Sequence, residues 1–407
     1  MYAATNEPLG RWRALALLAL AQVCGMSLWF TTSAVTGALR SQWHLSGSAV
    51  ALLTTSVQLG FISGALLAAL LNLADVVDAR RLFGGASLLA ALATIAFALW
   101  ARGLALGLPL RFAVGVCLAG VYPPGIKLMT SWFRRGRGLA VGILVGALTV
   151  GSALPHLIVA GGLAWQWVLG LSSLFAVGGG LLVLRWVPEG PYRGAAPPLD
   201  LTYVVSILRD RSLRLAIVGY GGHMWELYAM WTWLPTYLAA SFAQRGGPGT
   251  PPVSLAAFTA IGAAGFVGAL VGGWLADRFG RTAVTSVAMA LSGACALLSA
   301  VVFGQPPWLV LCVALAWGGS VIADSAQFSV ALTELCNPRY VGTALALQTS
   351  IGFLITVVTI QFTPLLAAAL GWRLAFLWLA LGPLLGLVAM RRLRAMAQAC
   401  RMAGGLR

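Results

Sequence analysis

The residues able to hold charge, protons or a ligand fall into two settings. One is a turn, Gly273-Trp-Leu-Ala-Asp277-Arg278-Phe-Gly280-Arg281, which crowds three charges and two glycines between two apolar runs. The other is a small set of ionisable side chains inside such runs: Arg111, Lys127, His223, Glu226 and Asp324. A charge within an apolar segment is costly to bury, so it faces a water-filled cavity or a partner. The three histidines are scattered and the buried acids isolated, so no nucleophile–base pair or metal cluster assembles. No G-x-x-x-x-G-K-[ST] phosphate loop and no C-x-x-C pair occurs. The chemistry on offer is electrostatic: binding, gating and moving protons. No cofactor is expected, the proton-motive force being the one external driver this chemistry could use.

The elements that position these groups follow from composition. Of 407 residues, 60% are apolar and 9% charged, which describes a polytopic membrane protein rather than a soluble one. The net charge of +16 would suit nucleic acid if it clustered on a soluble face. Instead it lies in short segments between apolar runs, so no nucleic-acid partner is expected. Twelve runs are long enough to cross a bilayer as helix. Six lie near 14–38, 48–72, 83–101, 105–130, 138–160 and 164–187; six more lie near 212–239, 254–276, 282–303, 307–331, 341–366 and 371–390. Residues 188–211, with Pro188, Pro191, Pro197 and Pro198, form the one long polar stretch between them. The expected organisation is an all-α chain: a six-helix bundle over 1–187, a linker over 188–211, a second bundle over 212–390 and a basic tail over 391–407.

Twenty of the 26 basic residues fall in segments on one side of this topology, and four (Arg40, Arg102, Arg245 and Arg373) on the other; Arg111 and Lys127 lie within spans. Lys and Arg collect on the cytoplasmic side. Both termini, the linker and the Gly273 turn are therefore expected in the cytoplasm, across a bacterial inner membrane, with the tail Arg391-Arg392-Leu-Arg394 at anionic headgroups.

The two bundles carry signs of a repeat. A shift of 202 positions places Asp277 on Asp75, Arg339 on Arg137 and Trp231 on Trp29. Asp75 stands in Leu71-Asn-Leu-Ala-Asp75-Val-Val-Asp78-Ala-Arg80-Arg81, a worn twin of the Gly273 turn. Transporters are commonly built from internal repeats.

Twelve spans, two halves and the pattern G-x-x-x-D-R-x-G-R between the second and third helices of a half resemble the major facilitator superfamily. Arg111-Phe-Ala-Val-Gly115 is similar to that family's R-x-x-x-G pattern in the fourth span. Gly142, Gly146, Gly151 and Pro155 in the fifth resemble its antiporter motif only loosely. The resemblance implies two pseudo-symmetric bundles and a monomer that moves a small organic solute by alternating access. It also implies a cytoplasmic gate in which Asp277 faces the start of span 5 near Arg137, and Asp75 the start of span 11 near Arg339. Arg80, Arg278 and Arg281 complete that gate. A carboxylate at a helix start is favoured by the free amides there.

In the family, spans 1, 4, 7 and 10 line the central cavity. Gln22, Trp29, Arg111, His223, Glu226, Met230, Trp233 and Asp324 are therefore the candidate cavity residues. On helical spacing His223, Glu226, Met230 and Trp233 share a stripe. Depths along the spans place Arg111 and Glu226 together in the outer half of the cavity, with His223 one turn inward. Such a pair supports proton-coupled uptake, with a proton-driven drug or metabolite efflux pump as the alternative. It equally supports a permanent structural ion pair. His156 reads as a packing residue and Glu334 as interfacial. A channel would need polar rings along a pore, and a membrane-embedded enzyme a nucleophile or metal; neither pattern is present.

Overall fold

The computed structural model describes residues 10–71, 73–133, 136–192, 203–245, 247 and 250–407, apart from the side chains of Ala74 and Asp75. Among them the chain is helical, with no strand. Helix α1 covers residues 11–43 in three pieces, followed by α2 (Gly47–Leu70), α3 (Ala79–Trp100), α4 (Leu104–Thr130), α5 (Arg137–Ala160) and α6 (Trp165–Trp186). The second half holds α7 (Arg211–Arg245), α8 (Val253–Phe279), α9 (Arg281–Val302), α10 (Pro307–Leu335), α11 (Pro338–Leu370) and α12 (Leu381–Arg394). Nine of these are long and apolar enough by themselves to cross a membrane. Each of the other three has a local reason to fall short. Helix α1 is broken, α7 carries Arg211, Arg214, His223, Glu226 and Arg245, and α12 is 14 residues long.

The twelfth helix corrects one expected boundary. Its apolar run spans about 371–390, but Gly371 ends α11 at φ +79°, and 371–380 runs as turns and a 3-10 segment. Arg373 Nε there donates to the Ala300 carbonyl at the end of α9 (3.1 Å), and Trp372 and Phe376 pack inward. Residues 193–202 of the linker lie outside the described set. The linker's start is tied to α4 by Trp132 Nε1 donating to the Pro188 carbonyl (3.0 Å), and Tyr203 near its end stacks on Tyr340 (3.7 Å).

Within each half, close helix pairs are made by glycine. A Cβ on Gly60, Gly64 or Gly115 would collide with the backbone between α2 and α4, and one on Gly268, Gly272 or Gly318 with the backbone between α8 and α10. In a membrane, where apolar side chains gain little from meeting each other, such small-residue contact lets dispersion hold helices together. The halves meet along two seams, α5 against α8 and α2 against α11. Large apolar residues such as Leu89, Leu174, Leu297 and Leu385 stay exposed on the outside of the bundle, the surface a bilayer would cover.

Three backbone irregularities position the site. Helix α1 is interrupted at residues 27–30. Helices α4 and α10 break at 119–121 and at 324, one repeat apart, so that Tyr122 and Asp324 are repeat equivalents. Helix α8 contains a π-turn at Thr259–Ala264. Below, the face where α1, α5, α7, α9 and α11 begin is called the basic face, and the opposite one the far face.

Candidate functional site

Midway through the bundle, aromatic rings from both halves interlock. Trp29 of α1 lies 5.0 Å from Phe61 of α2, 5.8 Å from Tyr228 of α7 and 5.7 Å from Phe353 of α11. Phe30 meets Tyr228 and Trp231, each at 5.8 Å, and Phe61 meets Phe353 at 4.6 Å. Offset and edge contacts between rings add to the gain from burial. Trp29 and Trp231, paired by the repeat, are both within this cluster and almost fully buried. The cluster joins the halves at mid-span.

Arg111 is fully buried just beside it. The interruption of α1 leaves carbonyls without their usual helical donors. Arg111 supplies replacements: Nη2 donates to the Leu28 and Trp29 carbonyls (3.2 and 2.7 Å), and Nη1 to Thr31 Oγ1 (3.1 Å). Its guanidinium therefore pins α4 to the break in α1.

Glu226 is turned elsewhere. Its Oε1 accepts a hydrogen bond from Trp317 Nε1 of α10 (2.8 Å), inside the second half. This corrects the expected pairing: no ion pair joins Arg111 and Glu226, and each is bonded within its own half. His223 Nδ1 instead lies 2.9 Å from Asp324 Oδ1, a buried contact between α7 and the break in α10. Trp233 Nε1 donates to the Ile360 carbonyl of α11 (2.9 Å) and Met230 is buried.

The expected stripe of His223, Glu226, Met230 and Trp233 thus faces the interior of its own half. At 100° per residue the opposite face of α7 carries Tyr220, Met224, Tyr228 and Trp231, and Tyr228 and Trp231 are the residues that meet the first half. Sequence reasoning missed this face, although its aromatic and methionine residues recur at helical spacing. Helix α7 is buried nearly all round, so its apolar pattern marks no preferred side. Gln22 sits in the first half, its side chain beside Gly125 of α4, with both amide atoms unpartnered.

At the basic face, Arg281 is the hub. Nη1 donates to Asp277 Oδ1 (2.8 Å) and Gln327 Oε1 (3.0 Å), and Nη2 to Glu334 Oε1 (3.4 Å). Glu334 is therefore part of this network rather than a lone interfacial acid. Its Oε2 also accepts from the Ala403 amide (3.0 Å), and Arg394 Nη1 donates to Thr282 Oγ1 (3.1 Å). The basic tail folds back onto the second half.

The Asp277 carboxylate fills the space where a Cβ on Gly138 would stand, in the first turn of α5. It faces that helix start across the seam between the halves. Arg137 is engaged locally instead, with Nε donating to the Phe133 carbonyl (2.8 Å). Arg278 lies over the Trp274 ring, and Arg339 over the Tyr340 ring. In the worn twin, Asp78 accepts from the Arg80 and Arg81 amides (2.9 and 3.2 Å) and caps α3, with Arg80 Nε at 3.6 Å. The Asp75 side chain lies outside the described residues.

Comparison with known proteins accords with this architecture. The sequence profile of the Major Facilitator Superfamily matches residues 18–360. The chain is 28% identical over 311 residues to the inner membrane transport protein RhmT of Escherichia coli K12, covering 68% of each chain. It is 30% identical over 185 residues to the MFS-type transporter pytF of Aspergillus terreus, covering 41% of this chain and 55% of that one. The chain thus spans about half of pytF and about two thirds of RhmT. Among solved structures it superposes on the proton:xylose symporter XylE bound to 6-bromo-6-deoxy-D-glucose with a TM-score of 0.70 at 14% identity, covering 94% and 96% of the two chains.

Proposed function

We propose how this chain, which belongs to the Major Facilitator Superfamily and is a multi-pass secondary active solute transporter, does its work. The solute sits where the aromatic cluster joins the halves, and its movement is coupled to a proton carried by the His223–Asp324 pair. The observation that carries the reading is the cluster itself: it is the mid-span place where α1 and α2 of one half touch α7 and α11 of the other. A carrier that rocks its halves about a central site must form and break contacts there.

The buried His–Asp contact brings a proton acceptor and a carboxylate within reach of one shared proton. Asp324 stands at the break in α10, so a proton that loosens its contact with His223 bears on a bend in a helix. Tyr220 and Phe328 pack on the His223 ring. Glu226, held by Trp317, serves the packing of its half. The name of XylE, a proton:xylose symporter, is in keeping with proton coupling.

The basic face is cytoplasmic in this reading, both termini included, and Asp277 on the start of α5 is the latch that closes it. The chain works as a monomer in a bacterial inner membrane, without a bound cofactor, without nucleic acid and without catalysing a covalent reaction.

The test uses protein reconstituted in liposomes. Accumulation driven by a pH gradient and solute-for-solute exchange are compared in wild type, Asp324→Asn and Glu226→Gln. Asp324→Asn is expected to lose gradient-driven accumulation and keep exchange. Glu226→Gln is expected to keep both, at a lower melting temperature. Equal loss of both activities in Asp324→Asn, with a melting temperature unchanged from wild type, would remove the pair from coupling.

A further inference from the structure

The chain that follows the last helix of each half turns back onto the basic end of that half's fourth helix. After α6, the Gly190 amide donates to Ser131 Oγ (2.9 Å) and the Tyr192 amide to the Ser131 carbonyl (2.9 Å), just past the end of α4. After α12, the Ala403 amide donates to Glu334 Oε2 (3.0 Å), near the end of α10. The repeat shift places Ser131 on Thr333, the residue before Glu334. Both fourth helices break at mid-span, so each strap holds the short piece beyond the break: Tyr122–Thr130 in one half, Ser325–Leu335 in the other.

The second strap reaches further than the first. Ala399 and Met402 within it are fully buried. Thr282 Oγ1 accepts from Arg394 Nη1 (3.1 Å) and donates to the Arg407 main-chain oxygen (2.9 Å), to which the Thr282 amide also donates (3.3 Å). Gly280, at φ +92°, lies under the Leu406 and Arg407 main-chain oxygens, where a Cβ would collide with them. Gly280 and Thr282 flank Arg281 in sequence, and Glu334 meets it from α10. One oxygen of Glu334 takes Nη2 of Arg281 and the other takes the amide of the strap. Arg281 in turn holds Asp277, whose carboxylate lies against the first turn of α5 in the other half. Hydrogen bonds to charged groups are the strong ones, and a carboxylate bonded at both oxygens is fixed in orientation. We propose that residues 395–407 are a strap that sets the strength of the basic-face latch. Docked, it keeps Glu334 on Arg281 and Arg281 on Asp277. Released, it frees Glu334 to turn to water, loosens Arg281 and lets the halves part at that face. The inference rests on Asp277 being the latch and adds what governs it.

The test uses the full chain in liposomes. Nitroxides at Arg185 and Arg391, exposed in the last turns of α6 and α12, report the distance between the halves, and one at Gln398 reports motion of the strap. Met402→Glu puts a charge into the buried seat of the strap, and Thr282→Val removes its side-chain bonds at nearly constant size. Both are expected to mobilise the Gln398 label and to raise the ratio of parted to closed halves about fivefold or more, the lower end of coupling between sites. Residues acting through one network do not add. Met402→Glu is therefore expected to bring no further parting when Asp277→Asn is already present. Equal parting with and without Asp277→Asn would make the strap a structural brace only and overturn the proposal. So would a mobile strap with unchanged distances, or a Gln398 label that stays immobile in both variants; in these cases parting by Asp277→Asn alone would leave the latch reading standing. Unchanged distances in Asp277→Asn itself would remove the latch reading, and the strap's role with it.

Discussion

The two seams between the halves are related by the internal repeat, yet they are built from different materials. Between α5 and α8 glycines on both helices let the partner's backbone or side chains come up against bare backbone. A Cβ on Gly142 would stand 2.9 Å from the Ala269 carbonyl oxygen, and one on Gly273 2.8 Å from that of Gly138; Gly146 is covered by the Phe266 ring. The series begins at the basic face with Gly138 under Asp277 and continues toward the far face with Gly262 beside Ala153. Between α2 and α11 the described contacts are made by side chains: Phe61 on Phe353, Gln361 Nε2 donating to Thr55 Oγ1 (3.0 Å), and Gly47 beside Pro364. Symmetry of fold has therefore not produced symmetry of attachment. One seam depends on the absence of side chains, the other on their identity.

The sharpest way to break this comparison is to put bulk into the glycine seam. Gly142→Leu places a side chain against the α8 backbone, and overpacking of this kind costs about 1–3 kcal/mol or more. Transport by this variant is expected to fall below about a tenth of wild type, since 1.4 kcal/mol is a factor of ten. Gly47→Ala in the other seam meets one carbon of Pro364 at 3.3 Å and is expected to transport normally. Initial uptake rates in proteoliposomes decide the matter; equal behaviour of the two variants would end the distinction.

A smaller effect is expected at the latch. Asp277→Asn removes the ion pair with Arg281 and the charge on the start of α5. Coupling between sites typically amounts to about 1–3 kcal/mol, so the halves should spend more time apart at the basic face and uptake should drop about fivefold or more. Spin labels at Thr130 and Thr333, at the basic ends of α4 and α10, should move apart. Wild-type uptake with an unchanged label distance would show that Asp277 is not a latch.

The smallest effect belongs to the worn twin. Burial raises the Asp78 carboxyl, but the Arg81 amide, the neighbouring Glu189 carboxyl, the Arg80 amide and the Arg80 charge outweigh it and hold the group below its ordinary value. A carboxyl lowered in this way stabilises the fold at pH above its unfolded value of about 4, and the contribution is lost as pH falls through the lowered folded value. Asp78→Ala should cost about 1 kcal/mol, the usual scale for a lost helix cap. Transport should stay near wild type, and the melting-temperature difference from wild type should vanish in acid. A large transport defect would mean that this turn also holds the halves together.

Much of this was legible in the sequence, for identifiable reasons. Membrane helices announce themselves by apolar length, and the repeat offset survives in Trp29 and Trp231 because both remain in the cluster that joins the halves. The Gly273 turn was readable because its charges lie close together in sequence, and Asp277, Arg281 and the start of α5 do meet. The partners of Arg111 were not readable, since they are carbonyls exposed by a break in α1 that no proline announces. The orientation of α7 was hidden by burial on every side, so Glu226 and Trp233 drew attention that belonged to Tyr228 and Trp231. Glu334 and the tail needed tertiary contacts that have no local signature.

The π-turn at Thr259–Ala264 has a consequence for the reading frame of α8. A π-turn holds one residue more than the α-turn it replaces. The residues beyond it, Val253–Phe258, are thereby rotated by about one residue's step, ~100°, relative to a continuous α-helix. That phase lets the far end of α8 and its glycine-bearing basic end both address α5 while Gly268 and Gly272 stay against α10. One residue of surplus chain thus lets a single helix keep two neighbours in register, and a one-residue deletion there would place them in competition for the same face.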